Sequence, residues 1–230
     1  MDLARGFEPG VKRGMMKPAK WFRDPEVKKV VFLTLVFKFL ALAVIAVGAF
    51  FLPFNAGNYS ANFHLPPGQT PDFFSRFQTW DAQHYLDLSS FDYQANFPSD
   101  AFYPMFPLLI RWLSLFFAGN HLVAALFLST LFTVISMVFL HQLITLLYDS
   151  ELAFQVCVLL LVFPTGFFLG LVYADSLFLM LAAAFFYGWY KSEKSLIYGA
   201  AFLMPWTRPV GVLMSIVLLA SLFLKKNRTK

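Results

Sequence analysis

From Val30 to Pro53 the chain is apolar with a single charged interruption, Lys38, and further apolar runs cover 121–148, 152–163, 177–190 and 195–224. A helix needs about 20 such residues to cross a bilayer. Strands of a membrane barrel would instead alternate apolar and polar positions, and no such alternation is present. The chain is 59% hydrophobic and 13% charged, against roughly 45–50% and 25% in soluble domains. The expected fold class is therefore an all-α polytopic membrane protein. The run 30–53 exceeds the roughly 7–15 residues of a signal-peptide core and reads as an uncleaved first span.

Charge sets the expected orientation. Arg5, Lys12, Arg13, Lys17, Lys20, Arg23, Lys28 and Lys29 precede the first span, and Lys225, Lys226, Arg228 and Lys230 follow the last run. Basic flanks favour the cytoplasm, so 1–29 and 225–230 are expected as cytoplasmic basic tails and the N-terminus as cytoplasmic. Such flanks need no nucleic acid to explain them. With Lys191 and Lys194 on the same side, the YADS segment (173–176) and the TRP turn (207–209) fall outside. That parity holds only if 102–117, a short run with two prolines and a central Arg111, dips into the membrane or lies along it. The expectation is one transmembrane domain, 30–224. Its six spans fall near 30–53, 121–147, 151–169, 175–190, 195–206 and 210–224, the last two short enough that a single broken helix is the alternative.

The first external loop, 54–120, is too long for an idle connection. Within it, 78–107 (QTWDAQHYLDLSSFDYQANFPSDAFYPMFP) is polar and aromatic, and it is the expected catalytic segment. Asp72, Asp81, Asp87, Asp92 and Asp100 fall in or beside it, in a protein with thirteen acidic residues. If 79–90 forms a short helix, Asp81 and His84 share one face.

Asp81 suits a general base whose pKa burial can adjust, or equally the N-cap of the following helix. His84 reads either as orienting a phosphate or the base, or as an interfacial histidine held by a hydrogen bond. Asp175 is placed for capping or for chemistry. Arg208, set among Pro205, Trp206, Pro209 and Val210, marks an anionic ligand, with snorkelling to the interface as the alternative. Arg111 has the weaker claim, because an amphipathic interfacial helix places an Arg there without any ligand. The single Cys157 excludes intrachain disulfides, and no P-loop, GxGxxG, HExxH or CxxC pattern occurs.

Taken in order, WDAQHY at 80–85, AFYPMFPLL at 101–109, FPTGFFLGLVYADSLF at 163–178 and RPVG at 208–211 resemble the PIG-V type of mannosyltransferase, within the GT-C class of lipid-sugar-dependent glycosyltransferases. The resemblance implies a GT-C-like helical bundle with short amphipathic helices in the first external loop. It further implies transfer of a hexose, mannose by preference, with inversion, from a polyprenyl- or dolichyl-phosphate donor to a lipid- or protein-linked acceptor on the non-cytoplasmic face. Asp81 maps onto the base. Asp175 stands where the pattern has Glu, a methylene longer. Substrate-binding roles fall to Trp80, His84, Tyr85, Tyr103, Arg111, Tyr173, Asp175, Ser176 and Arg208. No cofactor is expected, although the acidic loop leaves room for a divalent cation. The location is a plasma membrane in a prokaryote or the endoplasmic reticulum in a eukaryote. Relatives carry further spans, so a split enzyme completed by a second subunit stays open, as does a non-catalytic subunit. The rival from another class is a transporter or lipid-carrier translocase, with charge near the membrane midplane and sites open to each side in turn.

Overall fold

The computed structural model describes residues 21, 23–53, 55–62, 65 and 70–228. The expected basic tail up to residue 20, positions 66–69 of the proline-rich loop segment and the last two residues lie outside the described residues. The described chain is helical throughout: α1 (Pro25–Phe51), α2 (Ala56–Asn62), α3 (Asp81–Phe91), α4 (Met105–Ser114), α5 (His121–Leu147), α6 (Ser150–Val162), α7 (Phe167–Gly170), α8 (Asp175–Lys191), α9 (Lys194–Leu203) and α10 (Gly211–Arg228). Short 3₁₀ turns at Phe74–Phe77, Pro98–Ala101, Leu115–Phe117, Pro164–Gly166 and Met204–Trp206 connect them.

Local chemistry sets the ends. The Asp24 carboxylate accepts the Glu26 amide at 3.0 Å and Pro25 opens the helix, so α1 begins five residues before the apolar run does. Asn120 caps α5 through the Val123 amide at 3.0 Å, and Asp149 caps α6 through the Leu152 amide at 2.8 Å. Between α6 and α7 the chain turns at Pro164, which has no N–H to continue the ladder. A Cβ on Gly166 would stand 2.3 Å from the Leu161 carbonyl oxygen, so this turn closes only around glycine. The stretch 151–169 is therefore not one straight span. It consists of α6 and a second piece bent 75° from it.

By length and composition α1 and α5 can cross a membrane, and a third crossing is present if the bent pair counts as one. The stretches expected as spans at 175–190, 195–206 and 210–224 are helices of 17, 10 and 18 residues. At 1.5 Å per residue α9 reaches only about 15 Å, half of a hydrocarbon core. The ten-residue α4 is equally short, and it packs against α3 and α5.

α5 is the central column, touched by α1, α4, α6 and α8. Its first turns meet α3, where Ser89 Oγ lies 2.8 Å from His121 Nδ1. Its last turns meet Trp21, Val27 and Tyr187. α8 runs parallel to it, and α9 doubles back so that Ala200, Ala201 and Met204 join Leu177 and Leu181 in the main core with Tyr85, Phe106 and Ile110. This path brings the WDAQH, YADS and TRP segments to one end of the bundle.

Lys38 is 4% exposed in the middle of α1. Its amine donates to Ser129 Oγ at 2.9 Å and to the carbonyls of Leu169 at 2.9 Å and Gly170 at 3.1 Å. These carbonyls end α7, where a helix leaves acceptors unsatisfied and favours a cation. The lysine pins the broken helix from which the YADS segment emerges. Lys38→Glu would face a carboxylate with carbonyl and hydroxyl oxygens, and it should cost about 3–5 kcal/mol, as an uncompensated buried charge does. Lys38→Met should cost less, about 1–3 kcal/mol for the orphaned acceptors. Thermal unfolding in detergent checks the order; equal melting for Glu and wild type would contradict the contact.

Candidate functional site

The site is assembled around the start of α3. Trp80 occupies the position before the helix with φ 55° and ψ −130° and no side-chain cap bond. That region is costly for a bulky residue, and such strain collects at functional sites. Asp81 is thus the first helical residue and not the cap, which corrects the capping alternative. Its carboxylate sits in the first turn, where the helix end favours an anion.

The five loop carboxylates separate cleanly by what they touch. Asp72 accepts from the Ser75 amide and hydroxyl, Asp87 from Ser99 Oγ, Asp92 from Arg111 and Asp100 from the Phe97 amide. Four therefore hold local structure together. Asp81, half-buried, takes no hydrogen bond or ion pair among the described residues.

Its neighbours come from two other segments. Arg208 pairs with Asp175, both side chains about one third exposed, so the YADS and TRP segments are in contact. The Tyr85 hydroxyl meets the Ala174 backbone and feels the charges of Arg208, Asp81 and Asp175, while Tyr173 feels Asp81 and Asp175. Burial, with the two carboxylates adding to it, pushes both phenols well above the usual tyrosine range. Both stay neutral O–H donors at any working pH. Among the described residues the arrangement is an unengaged carboxylate, two phenol donors and a half-buried guanidinium whose Nε–H is buried with no acceptor.

Arg208 is aimed by a tight turn. Its amide donates to the Met204 carbonyl at 3.2 Å and the Gly211 amide returns to the Arg208 carbonyl at 2.9 Å. A Cβ on Gly211 would meet the Met204 carbonyl at 2.3 Å. The R-x-x-G spacing therefore has a steric cause: only glycine lets α10 start against the end of α9 with Arg208 directed back at Asp175.

His84 belongs to a neighbouring chain of hydrogen bonds. Ser99 Oγ donates to Asp87 Oδ2 at 2.9 Å and lies 3.1 Å from His84 Nδ1, while the imidazole stacks on Phe102 at 4.5 Å. With its proton given to Asp87, the Ser99 oxygen is left to accept, which holds His84 as the Nδ1–H tautomer. Ser99 had no signal in the sequence, since its partners are twelve and fifteen residues away.

Two expected substrate contacts are corrected. Arg111 donates to the carbonyls of Leu88 at 2.9 Å and Ser89 at 2.8 Å and pairs with Asp92; it closes the C-terminal end of α3, where carbonyls lack partners. Ser176 is fully buried and donates to the Tyr173 carbonyl at 3.4 Å, a local bond at the start of α8. Tyr103 is half-buried just before α4, and among the described residues no hydrogen bond draws it to the cluster. Trp80 is half-exposed with its ring edge toward Phe167 at 6.2 Å. Among the described residues no group of three or more His, Cys, Asp or Glu side chains could together hold a metal ion. Family models, curated proteins and solved structures contain no match to this chain.

Proposed function

We propose that the protein is a membrane glycosyltransferase that moves a hexose, mannose by its motif resemblance, from a polyprenyl- or dolichyl-phosphate donor to a lipid- or protein-linked acceptor. The observation that carries this reading is Asp81. It is a half-buried carboxylate without hydrogen bond or ion pair among the described residues, and it lies beside an Arg208–Asp175 pair at one end of an apolar helical bundle. A donor whose tail stays in the bilayer presents its phosphate and sugar at that height.

In the proposed reaction Asp81 takes the proton from an acceptor hydroxyl as its oxygen attacks the anomeric carbon. The bond from that carbon to the phosphate oxygen breaks, the configuration inverts, and the lipid phosphate leaves with the electron pair. Arg208 faces the charge that builds on the departing oxygen, where fixed positive charge does most for a transition state. Its buried, unpartnered Nε–H gains an acceptor when an anion arrives. Asp175 orients the guanidinium, and Tyr85 and Tyr173 donate to sugar hydroxyls.

The same reading carries the GT-C-like fold, six spans with the N-terminus in the cytoplasm, and the active end on the opposite side. A transporter would need an ionisable group open to both ends in turn. Lys38, the lysine buried within α1, already has a structural role in its bonds to Ser129, Leu169 and Gly170, which needs no transported substrate to explain it. The test is purified full-length protein in nanodiscs with polyprenyl-phosphate mannose labelled in the sugar. Label should move to a second lipid, to protein or, slowly, to water. A donor that stays intact, while a known mannosyltransferase consumes it under the same conditions, would sink the proposal.

A further inference from the structure

Both halves of the Asp81–Arg208 cluster lean on α7, the single helical turn Phe167–Gly170. At its start the Phe167 ring meets the edge of Trp80 at 6.2 Å, and Trp80 immediately precedes Asp81. Phe167 also lies against Phe168 at 4.1 Å, and Phe168 meets Tyr173 edge-on at 4.9 Å. At its end the chain runs through Leu171 and Val172 to Tyr173 and to Asp175, which opens α8. Isolated helices shorter than about 12–15 residues are marginal, so a single turn holds its place only through the elements packed on it.

Three buried side chains from two long helices supply that hold. Lys38 of α1 donates to the Leu169 carbonyl at 2.9 Å, the Gly170 carbonyl at 3.1 Å and Ser129 Oγ at 2.9 Å. An ammonium carries three donors and no acceptor, so each N–H is used once. Ser129 of α5 passes the contact on: its oxygen accepts from Lys38, and its own proton goes to the Leu171 carbonyl at 2.5 Å. Thr133, one turn further along α5, also reaches the Leu169 carbonyl, at 3.0 Å. Three successive carbonyls, the last of them two residues before Tyr173, are thus tied to α1 and α5. Gly170 lies directly on α1, where a Cβ would come within 2.9 Å of Ala41 Cβ. Among the described residues Lys38 bonds to no member of the cluster; it acts on the backbone that leads there.

We propose that Lys38 is a positioning residue for the Asp81–Arg208 cluster. It fixes α7, and α7 in turn sets how Asp175 meets Arg208 and where Trp80 rests before Asp81. The choice of a lysine follows from the cage: one ammonium satisfies three acceptors from a single atom, whereas an amide offers two N–H groups and a hydroxyl one. The demand on the geometry is strict, because a misplacement of about 1 Å in a reacting group can cost about 10²-fold in rate. A lysine that only stabilised the bundle would affect melting and nothing else. One that positions the cluster also sets how strongly Asp175 and Arg208 depend on each other, which is measurable without any substrate.

The test is a double-mutant cycle on Asp175→Asn and Arg208→Gln, read by thermal unfolding of the full chain in detergent and repeated in a Lys38→Met background. In the native background the two substitutions together should lower the melting temperature by less than the sum of their separate effects. With Lys38→Met that difference should shrink by about half or more. Val138→Ala, a core substitution in the cluster with Trp21 and Tyr187, lowers melting away from residues 169–171 and should leave the difference intact. If Lys38→Met does not fold, Ser129→Ala takes its place, since it removes the link to the Leu171 carbonyl and no charge. A difference absent from the native background, undiminished in the Lys38→Met or Ser129→Ala background, or equally reduced by Val138→Ala would overturn the proposal and leave Lys38 a structural pin. The second arm rests on the transferase reading. In mannose transfer Lys38→Met should lower kcat about tenfold or more with the donor KM within about threefold, and Lys38→Gln, which keeps two donors, should fall between. An unchanged kcat would overturn the proposal from that side. A weakened cycle together with failed transfer by wild type would remove the reaction and leave the positioning of the Asp175–Arg208 pair standing.

Discussion

Asp81→Asn should abolish sugar transfer to within about 10²–10⁴-fold below wild type, the usual range for a lost general base, while the protein keeps its melting temperature in detergent. The structure sharpens this expectation because, among the described residues, the carboxylate makes no hydrogen bond or ion pair that the amide would break. Asn has the same shape and the same place in the first turn of α3. What it lacks is the lone pair that accepts a proton. Contrast is available within the same loop. Asp87→Asn disturbs the bond from Ser99 and with it the tautomer of His84, so it should change stability and rate together. Transfer rates per folded molecule, measured for Asp81→Asn and Asp87→Asn side by side, check the distinction. Asp81→Asn at a few-fold of wild-type activity would remove Asp81 from the chemistry and leave Asp175 as the remaining carboxylate of the cluster.

Features that arise within a few residues are legible in the sequence, and features built across the fold are not. The span at 121–147 coincides with α5 because Asn120 caps it locally. The short helix expected at 79–90 appears at 81–91, whereas the contact that joins the YADS and TRP segments, Arg208 with Asp175, is made across 33 residues and is visible only in the fold. The first span is misjudged by five residues because the apolar run was a weaker boundary signal than Asp24–Pro25, the pair that starts the helix. Arg111 and Asp81 fail in instructive ways. An Arg in an apolar helix reads as a ligand contact, yet its partners are the carbonyls of Leu88 and Ser89, more than twenty residues earlier. An Asp before a helix reads as a cap, yet the backbone of Trp80 takes a positive φ that no propensity foretells. Of the five loop carboxylates, composition favours none. Only the hydrogen-bond partners of the other four single out Asp81.

Arg208→Gln should lower transfer by about 10² or more, the usual scale for removing one electrostatic contact to a developing charge, and Arg208→Lys should keep part of it by retaining charge without the fork. The pairing with Asp175 complicates the reading of either variant alone, since removing one member leaves the other half-buried without its partner. Because both side chains are about one third exposed, that structural loss should be modest, well below the roughly 3–5 kcal/mol of a fully buried pair. The double variant Asp175→Asn/Arg208→Gln separates the two effects. It removes both charges, so it should recover most of the melting temperature that Arg208→Gln loses. It should not recover transfer, because the donor phosphate still lacks its cation. A double variant that regains stability and transfer together would make the pair a structural clasp between the YADS and TRP segments. The phosphate would then have to be sought at Arg76, because the guanidinium of Arg111 is already committed to the end of α3.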